Sequence, residues 1–397
     1  MDLIERLRRW AVARPRVLVI DAPGSAALRW TVEAELERRG CALALSPAEA
    51  DLLLVLGEPG EELAQAVDVV WSQVPAPRHR ASISTGDEVA PALDAAVEAL
   101  AEAAGRGQPG DDERPRPGDL LEQRGGGSHG DHTGMEHGGM DPDGHDEGVA
   151  HADGHGMDHA GMDHAGMDHG GMGHGGHGGM DVAGLPMAGT VPDRDGLRLD
   201  ALQVSLGPVL ACWPTGLLLH GQLQGDVLSR VRLTWVDADT GDDGPVCDRD
   251  DARFLALDHL SRFLEVAGWP TAARDARRAR DRLRSADPAE AAAGHRLAVR
   301  LARRVRRSRT LAWSVRGVGA IEHAEPGDLD GDVLDRVRRW CELTAAPELQ
   351  AGAPPDVPPE QVAPLLEGAE LAAARLVVAS LQLSHPAARR TPVSARV

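Results

Sequence analysis

The hydrophobic positions of this chain change period along its length, and the changes mark three regions. From residue 1 to about 106, short continuous apolar runs alternate with stretches of 3- and 4-residue apolar spacing. Leu3, Ile4, Leu7 and Trp10 share one side of an opening helix, and residues 17–20 read as a buried strand ended by a turn at 21–25. A helix follows over 26–39 and stops at Gly40. Residues 41–45 and 52–56 are further apolar strands, and Leu63, Ala66, Val67, Val70 and Trp71 mark another helix. A strand near 81–84 and a helix from about 90 to 104 complete the region. Continuous apolar strands separated by helices predict a small α/β domain, with a doubly wound parallel sheet, over 1–106.

Beyond residue 190 the pattern changes to strict alternation. L-x-L-x-A-L-x-V-x-L begins at Leu197, and two more alternating runs, 217–223 and 227–235, flank Gly225-Asp226. Helical spacing then predicts helices at about 251–267, 270–285, 289–307, 331–344 and 365–382. Residues 191–397 are therefore expected to form an α-rich α+β domain. Between the two, 107–190 is mostly Gly, Pro, Asp and His without amphipathic periodicity, and is expected to be a disordered linker.

That linker carries the candidate chemistry. From His155 it reads HGMDHAGMDHAGMDHGGMGHGGHGGM, a five-residue repeat of Met-Asp-His-(Ala/Gly)-Gly. Eleven of the 17 histidines lie between His129 and His177, and every methionine except Met1 lies between Met135 and Met187. Methionine usually fills irregular gaps in cores, yet the flanking regions make no such use of it. Imidazole and thioether are neutral ligands for borderline and soft metals, and thioether selects Cu(I). The candidate ligands are His129, His132, Met135, His137, Met140, His145, His151, His155, Met157, His159, Met162, His164, Met167, His169, Met172, His174, His177 and Met180. Copper is the first expectation, then nickel or zinc. The competing reading is a low-complexity linker whose histidines are a by-product of repeat expansion.

Charge and cysteine content exclude several classes. The formal charge is −20, and from Gly125 to Pro192 there are eleven acidic residues and no Lys or Arg. Nucleic acid is therefore a poor partner. The one basic run, Arg296, Arg300, Arg303, Arg304, Arg306, Arg307 and Arg309, lacks interleaved aromatics and reads as a solvated helix face or a patch for acidic protein surface. Cys41, Cys212, Cys247 and Cys341 are widely spaced with no C-x-x-C, so no thiolate metal motif is written locally. The charged start MDLIERLRRW has no apolar signal region, and no apolar run reaches 18 residues. A cytoplasmic protein without a transmembrane segment is expected. The acidic stretch at 237–244 reads as a solvated connection rather than a calcium loop, and Asp328, Asp330 and Asp332 as helix caps. The histidines outside the linker are expected to be structural, and no nucleophile–base set is local enough to propose catalysis.

Two segments carry a family resemblance. Ser46-Pro47-Ala48-Glu49-Ala50-Asp51, continuing through Leu52–Leu56 to Gly57, followed by Val74-Pro75-Ala76-Pro77-Arg78, resembles the 20 kDa (B-type) small iron–sulfur subunit of NADH:quinone oxidoreductase. That family is related to the small subunit of nickel–iron hydrogenases. Val204-Ser205-Leu206-Gly207-Pro208, the hairpin at 217–236 with its G-x-L-x-G-D run from Gly221, Arg309-Thr310, Arg316-Gly317-Val318-Gly319 and the closing helix resemble the 49 kDa (D-type) large subunit. The resemblance implies a [4Fe–4S] cluster on four cysteines and a quinone-contacting histidine after the Gly-Pro turn. Here residues 24–27 (Gly-Ser-Ala-Ala), Thr85-Gly86-Asp87 and Val89-Ala90-Pro91 stand where the cysteines would fall, and Val209-Leu210-Ala211-Cys212-Trp213 follows Gly207-Pro208. No iron–sulfur cluster is expected. The expected function is non-catalytic binding of copper, nickel or zinc on a fused small-plus-large scaffold. The alternative is an accessory or true subunit of a respiratory or hydrogenase-like complex, with such subunits as partners.

Overall fold

The computed structural model describes residues 14–106, 181–182, 185–186, 189–192, 196–238, 252–321, 330–346 and 357–386. The chain divides into two units, one made of Met1–Gln123 with Ala188–Val397 and the other of Arg124–Met187. The expected opening helix around Leu3 and Trp10 lies outside the described residues.

The N-terminal half is a parallel sheet with helices on both faces. β1 (Arg16–Asp21), β2 (Ala42–Leu43), β3 (Leu52–Leu56) and β4 (His79–Ile83) lie in the order β2-β1-β3-β4. Every residue of β3 is buried, as a central parallel strand covered on both sides requires. Alternate strand residues divide between the two faces. Val17, Leu52, Leu54 and Leu56 pack with Val32 and Leu36 of α1 (Ala26–Arg39) and with Leu93 and Leu100 of α3 (Val89–Arg106). Leu18, Ile20, Leu53 and Val55 pack with Val67 and Val70 of α2 (Glu61–Gln73). Gly40, at φ 70°, ends α1 in the left-handed conformation that glycine adopts without steric penalty.

The C-terminal half is helix-rich. Its antiparallel sheet runs β10-β9-β8-β7, from β7 (Gly189–Pro192), β8 (Arg198–Leu206), β9 (Leu217–Gln224) and β10 (Val227–Trp235). The helices are α4 (Ala252–Val266), α5 (Pro270–Leu283), α6 (Pro288–Arg306), α7 (Arg309–Val315), α8 (Val333–Ala345), α9 (Pro359–Leu366) and α10 (Leu371–Ala379). They share one core in which Phe263, Leu264, Leu301, Val337 and Trp340 meet Leu219 and Leu228 of the sheet.

Two expectations need correction. The stretch expected to lack structure up to residue 190 contains β5 (Asp181–Val182) paired with β6 (Leu185–Pro186), and β7 begins at Gly189 because it pairs with β8. The single closing helix is two helices. Glu367 and Gly368 interrupt it, since the Glu367 carboxylate accepts the Arg230 and Val231 N–H groups and the Gly368 N–H donates to Leu228 O. The break thereby covers the open edge of β10. Arg309-Thr310 opens α7, whose start is capped by the Ser308 side chain.

Candidate functional site

None of the metal-ligand residues proposed from sequence, from His129 to Met180, falls among the described residues. Among the described residues, no group of three His, Cys, Asp or Glu is placed to hold a metal ion. His259 is stacked on Trp340, and burial, aided by Arg262, lowers its pKa to about 4, so it is a neutral core residue. His385 is buried, with Nε2 2.6 Å from Val236 O.

The residues at the positions of the resembling family's cluster ligands do not fit a thiolate-bound cluster. Residues 24–27 follow β1 and Thr85-Gly86-Asp87 follows β4, so both lie at the C-terminal edge of the parallel sheet. Cys41 precedes β2 and therefore lies at the opposite edge. Thr85 instead caps a short 3-10 turn with Glu88. Ser25 packs beneath Gly57, where a Cβ would come within 2.1 Å of its Oγ.

The junction of the two halves holds the densest polar chemistry among the described residues. Arg29 and Trp30 project from α1 and meet Asp258 of α4 and Arg280 of α5. Asp258 accepts Arg29 Nη2 at 2.7 Å, Trp30 Nε1 at 2.9 Å and Arg280 Nη1 at 2.8 Å. Glu33 accepts Arg29 Nη1 at 2.7 Å and Arg280 Nη2 at 2.8 Å. Arg29, Asp258 and Arg280 are 6 %, 4 % and 0 % exposed, so these charges are stable only as a mutually satisfied set. Burial alone would raise the Asp258 pKa, but Arg29, Arg262 and Arg280 outweigh it and hold the carboxyl well below the ordinary range. Burial also opposes ionisation of Glu33, and Arg29 with Arg280 again prevails, leaving its pKa lowered. The sequence signal was faint, because Asp258 occupies one position of an amphipathic helix and nothing local reveals a partner 229 residues away.

A second junction contact corrects the reading of the acidic stretch at Asp237, while residues 239–244 lie outside the described residues. Asp237 is not solvated. Its carboxylate accepts the Glu62 and Leu63 N–H groups at 2.9 Å each, and its own N–H donates to the Glu62 carboxylate. It therefore acts as an N-cap for α2, supplied from the other half of the chain. Replacing Asp237 with Ala is expected to lower stability by about 1–2 kcal/mol, with Asn recovering only part of the loss because it keeps one of the two acceptor oxygens, measured by urea unfolding.

Beside these contacts lies a cavity of ≈ 200 Å³. Leu18, Ile20 and Leu43 form one apolar wall, and Val209, Leu210 and Trp213 the other. Cys212, Arg262, Glu265 and Arg277 supply polar groups. Burial pushes the Cys212 thiol up to about 11, so it stays protonated at neutral pH. A neighbouring cavity of ≈ 210 Å³ shares Glu33, Leu43, Glu265 and Arg277 and reaches Cys41. An apolar cleft with a few convergent polar groups has the ordinary form of a small-molecule site. The turn that shapes it is tightly constrained. Gly207 has φ 95°, and a Cβ there would lie 2.1 Å from Leu217 O. Gly207→Ala is expected to cost more than about 1 kcal/mol in chemical denaturation, because backbone must shift on top of the φ strain.

Comparison of the chain with protein-family models, with curated proteins and with solved structures gives no match. Among the described residues, no helix is long and apolar enough to cross a membrane.

Proposed function

We propose that this protein binds copper, nickel or zinc ions through its His/Met-rich segment, and that the folded body acts as a non-catalytic carrier and docking platform. The observation that carries the reading is the partition of ligands: all eight internal methionines and eleven of the 17 histidines lie between His129 and Met187. Those residues belong to the unit Arg124–Met187. Interspersed aspartates and the absence of Lys and Arg from Gly125 to Pro192 favour cation uptake by the same stretch. The body is read as a fused small-plus-large scaffold of the NADH:quinone oxidoreductase and hydrogenase type, its parallel sheet doubly wound and its cluster ligands replaced. Titration of metal ions into the full chain and into a variant lacking 125–187 tests the function, and equal binding by both would sink it.

The cavity against Val209 and Leu210 favours a second reading, a subunit of a respiratory or hydrogenase-like complex that retains a small-molecule cleft. Iron content separates the two. Anaerobically purified protein is expected to carry no stoichiometric iron and no visible cluster absorption, because four thiolates cannot be gathered around 24–27 and 85–87. Four iron atoms per chain would favour the subunit reading.

A further inference from the structure

We propose that the outer face of α6, with the exposed Trp313 of α7 as a further contact, is a docking surface for a single acidic segment of a partner protein. Arg296, Arg300, Arg303 and Arg307 recur at spacings of four, three and four, on the side of the helix opposite its buried residues Gly294, Ala298, Leu301 and Val305. All four arginines are exposed, and none makes an ion pair with another described residue. The rows beside them are neutralised. Arg304 pairs with Asp275 at 3.1 Å, and Arg306 pairs with Glu342 at 3.6 Å. On α6, positive charge without a described partner thus forms a strip one helix wide and, at 1.5 Å per residue, about 16 Å long.

The width of the strip identifies its occupant. A membrane plane or a nucleic-acid duplex would overlap the flanking acids and meet a chain of net charge −20. A single acidic helix or extended segment would meet only the arginines. Carboxylates spaced three and four residues apart on a helix match this register, and guanidinium groups hold carboxylates with paired hydrogen bonds. Trp313, 85 % exposed, lies six residues beyond Arg307 on the next helix, between Arg309 and Arg316 in the chain. No hydrogen bond or ring contact engages its indole among the described residues. Tryptophan and arginine are the residue types that dominate binding energy at protein interfaces, which favours a protein partner with an apolar contact at one end of its acidic run.

The probe is a fluorescein-labelled helical peptide of about 16 residues with Glu at positions 1, 5, 8 and 12, measured by anisotropy against the full chain at low and moderate salt. The same peptide with Lys at those positions is the control. The Glu peptide is expected to bind in a salt-sensitive manner. Arg300→Glu with Arg303→Glu should weaken it at least tenfold, and Trp313→Ala several-fold for a version ending in Leu. Thermal unfolding should be unchanged, because these side chains face solvent. Equal affinity for both peptides, no binding at about 100 µM, or no response to the substitutions overturns the proposal. So does tighter binding of phosphatidylglycerol vesicles or a 20-nucleotide strand that is lost with the same substitutions, which would reassign the surface.

Discussion

Removal of residues 125–187, which stops short of β7, is expected to abolish multi-ion binding while leaving the folded body intact. The segment offers eleven histidines and eight methionines between His129 and Met187. At two to four ligands per ion, its capacity is on the order of five to eight soft or borderline ions. Imidazole binds only when neutral, so uptake should fall as pH drops through about 6.5. Thioethers do not titrate, so Cu(I) should be retained to lower pH than Ni(II) or Zn(II). Replacing every methionine in the segment with Leu should therefore weaken Cu(I) binding far more than Zn(II) binding. Calorimetric titration of the full chain, the deletion and the Leu variant, with far-UV circular dichroism as the check on folding, reads all three outcomes. A deletion variant that binds as many ions as the full chain would move the metal sites to the body.

The second large effect concerns stability. Asp258→Ala is expected to destabilise the chain by about 3–5 kcal/mol, since it leaves two buried guanidinium groups without one of the two carboxylates they share. Arg29 and Arg280 both donate to Asp258, so either arginine replaced by Met should be less damaging than the loss of the acid that serves both. The same cluster makes stability depend on pH. Asp258 and Glu33 have pKa values lowered in the fold, so the unfolded chain takes up protons first as pH falls. Their contribution is complete above the unfolded carboxyl values, about 3.9 and 4.3, and is lost as pH falls through the lower folded ones. Asp281 acts in the opposite direction, because burial raises its pKa despite Arg280. Urea unfolding between about pH 3 and 7 should give a steep acid limb in the parent chain and a flatter one in the Asp258 variant. An unchanged acid limb would show that the cluster does not govern acid stability.

The N-terminal half is the part most plainly written in the sequence. The apolar runs at β1 and β3 and the helix stopped by Gly40 appear where the pattern places them, because strand burial and helix punctuation are local properties. The hairpin of β9 and β10 is equally local, with Gly225-Asp226 at its turn. Elements whose existence depends on partners were not legible. β7 has no distinctive pattern and forms against β8, and the interruption at Glu367 and Gly368 makes sense only beside the edge of β10.

The same division holds for chemistry. The sequence by itself determined that histidine and methionine are concentrated in one acidic stretch without Lys or Arg, because a repeat is legible without a fold. It also determined that residues 24–27 and 85–87 lack the thiolates of a cluster. Only the tertiary structure decided that Asp237 caps α2, that Arg29, Glu33, Asp258 and Arg280 form one buried set, and that an apolar cleft lies between the halves. It also showed which arginines of the basic run remain uncompensated, since the pairing of Arg304 and Arg306 depends on Asp275 and Glu342 from neighbouring helices. Each of these facts joins residues distant along the chain. A charged residue on a helix reads alike whether it faces water or a counter-ion, and burial and partner geometry, which only packing fixes, set its energy.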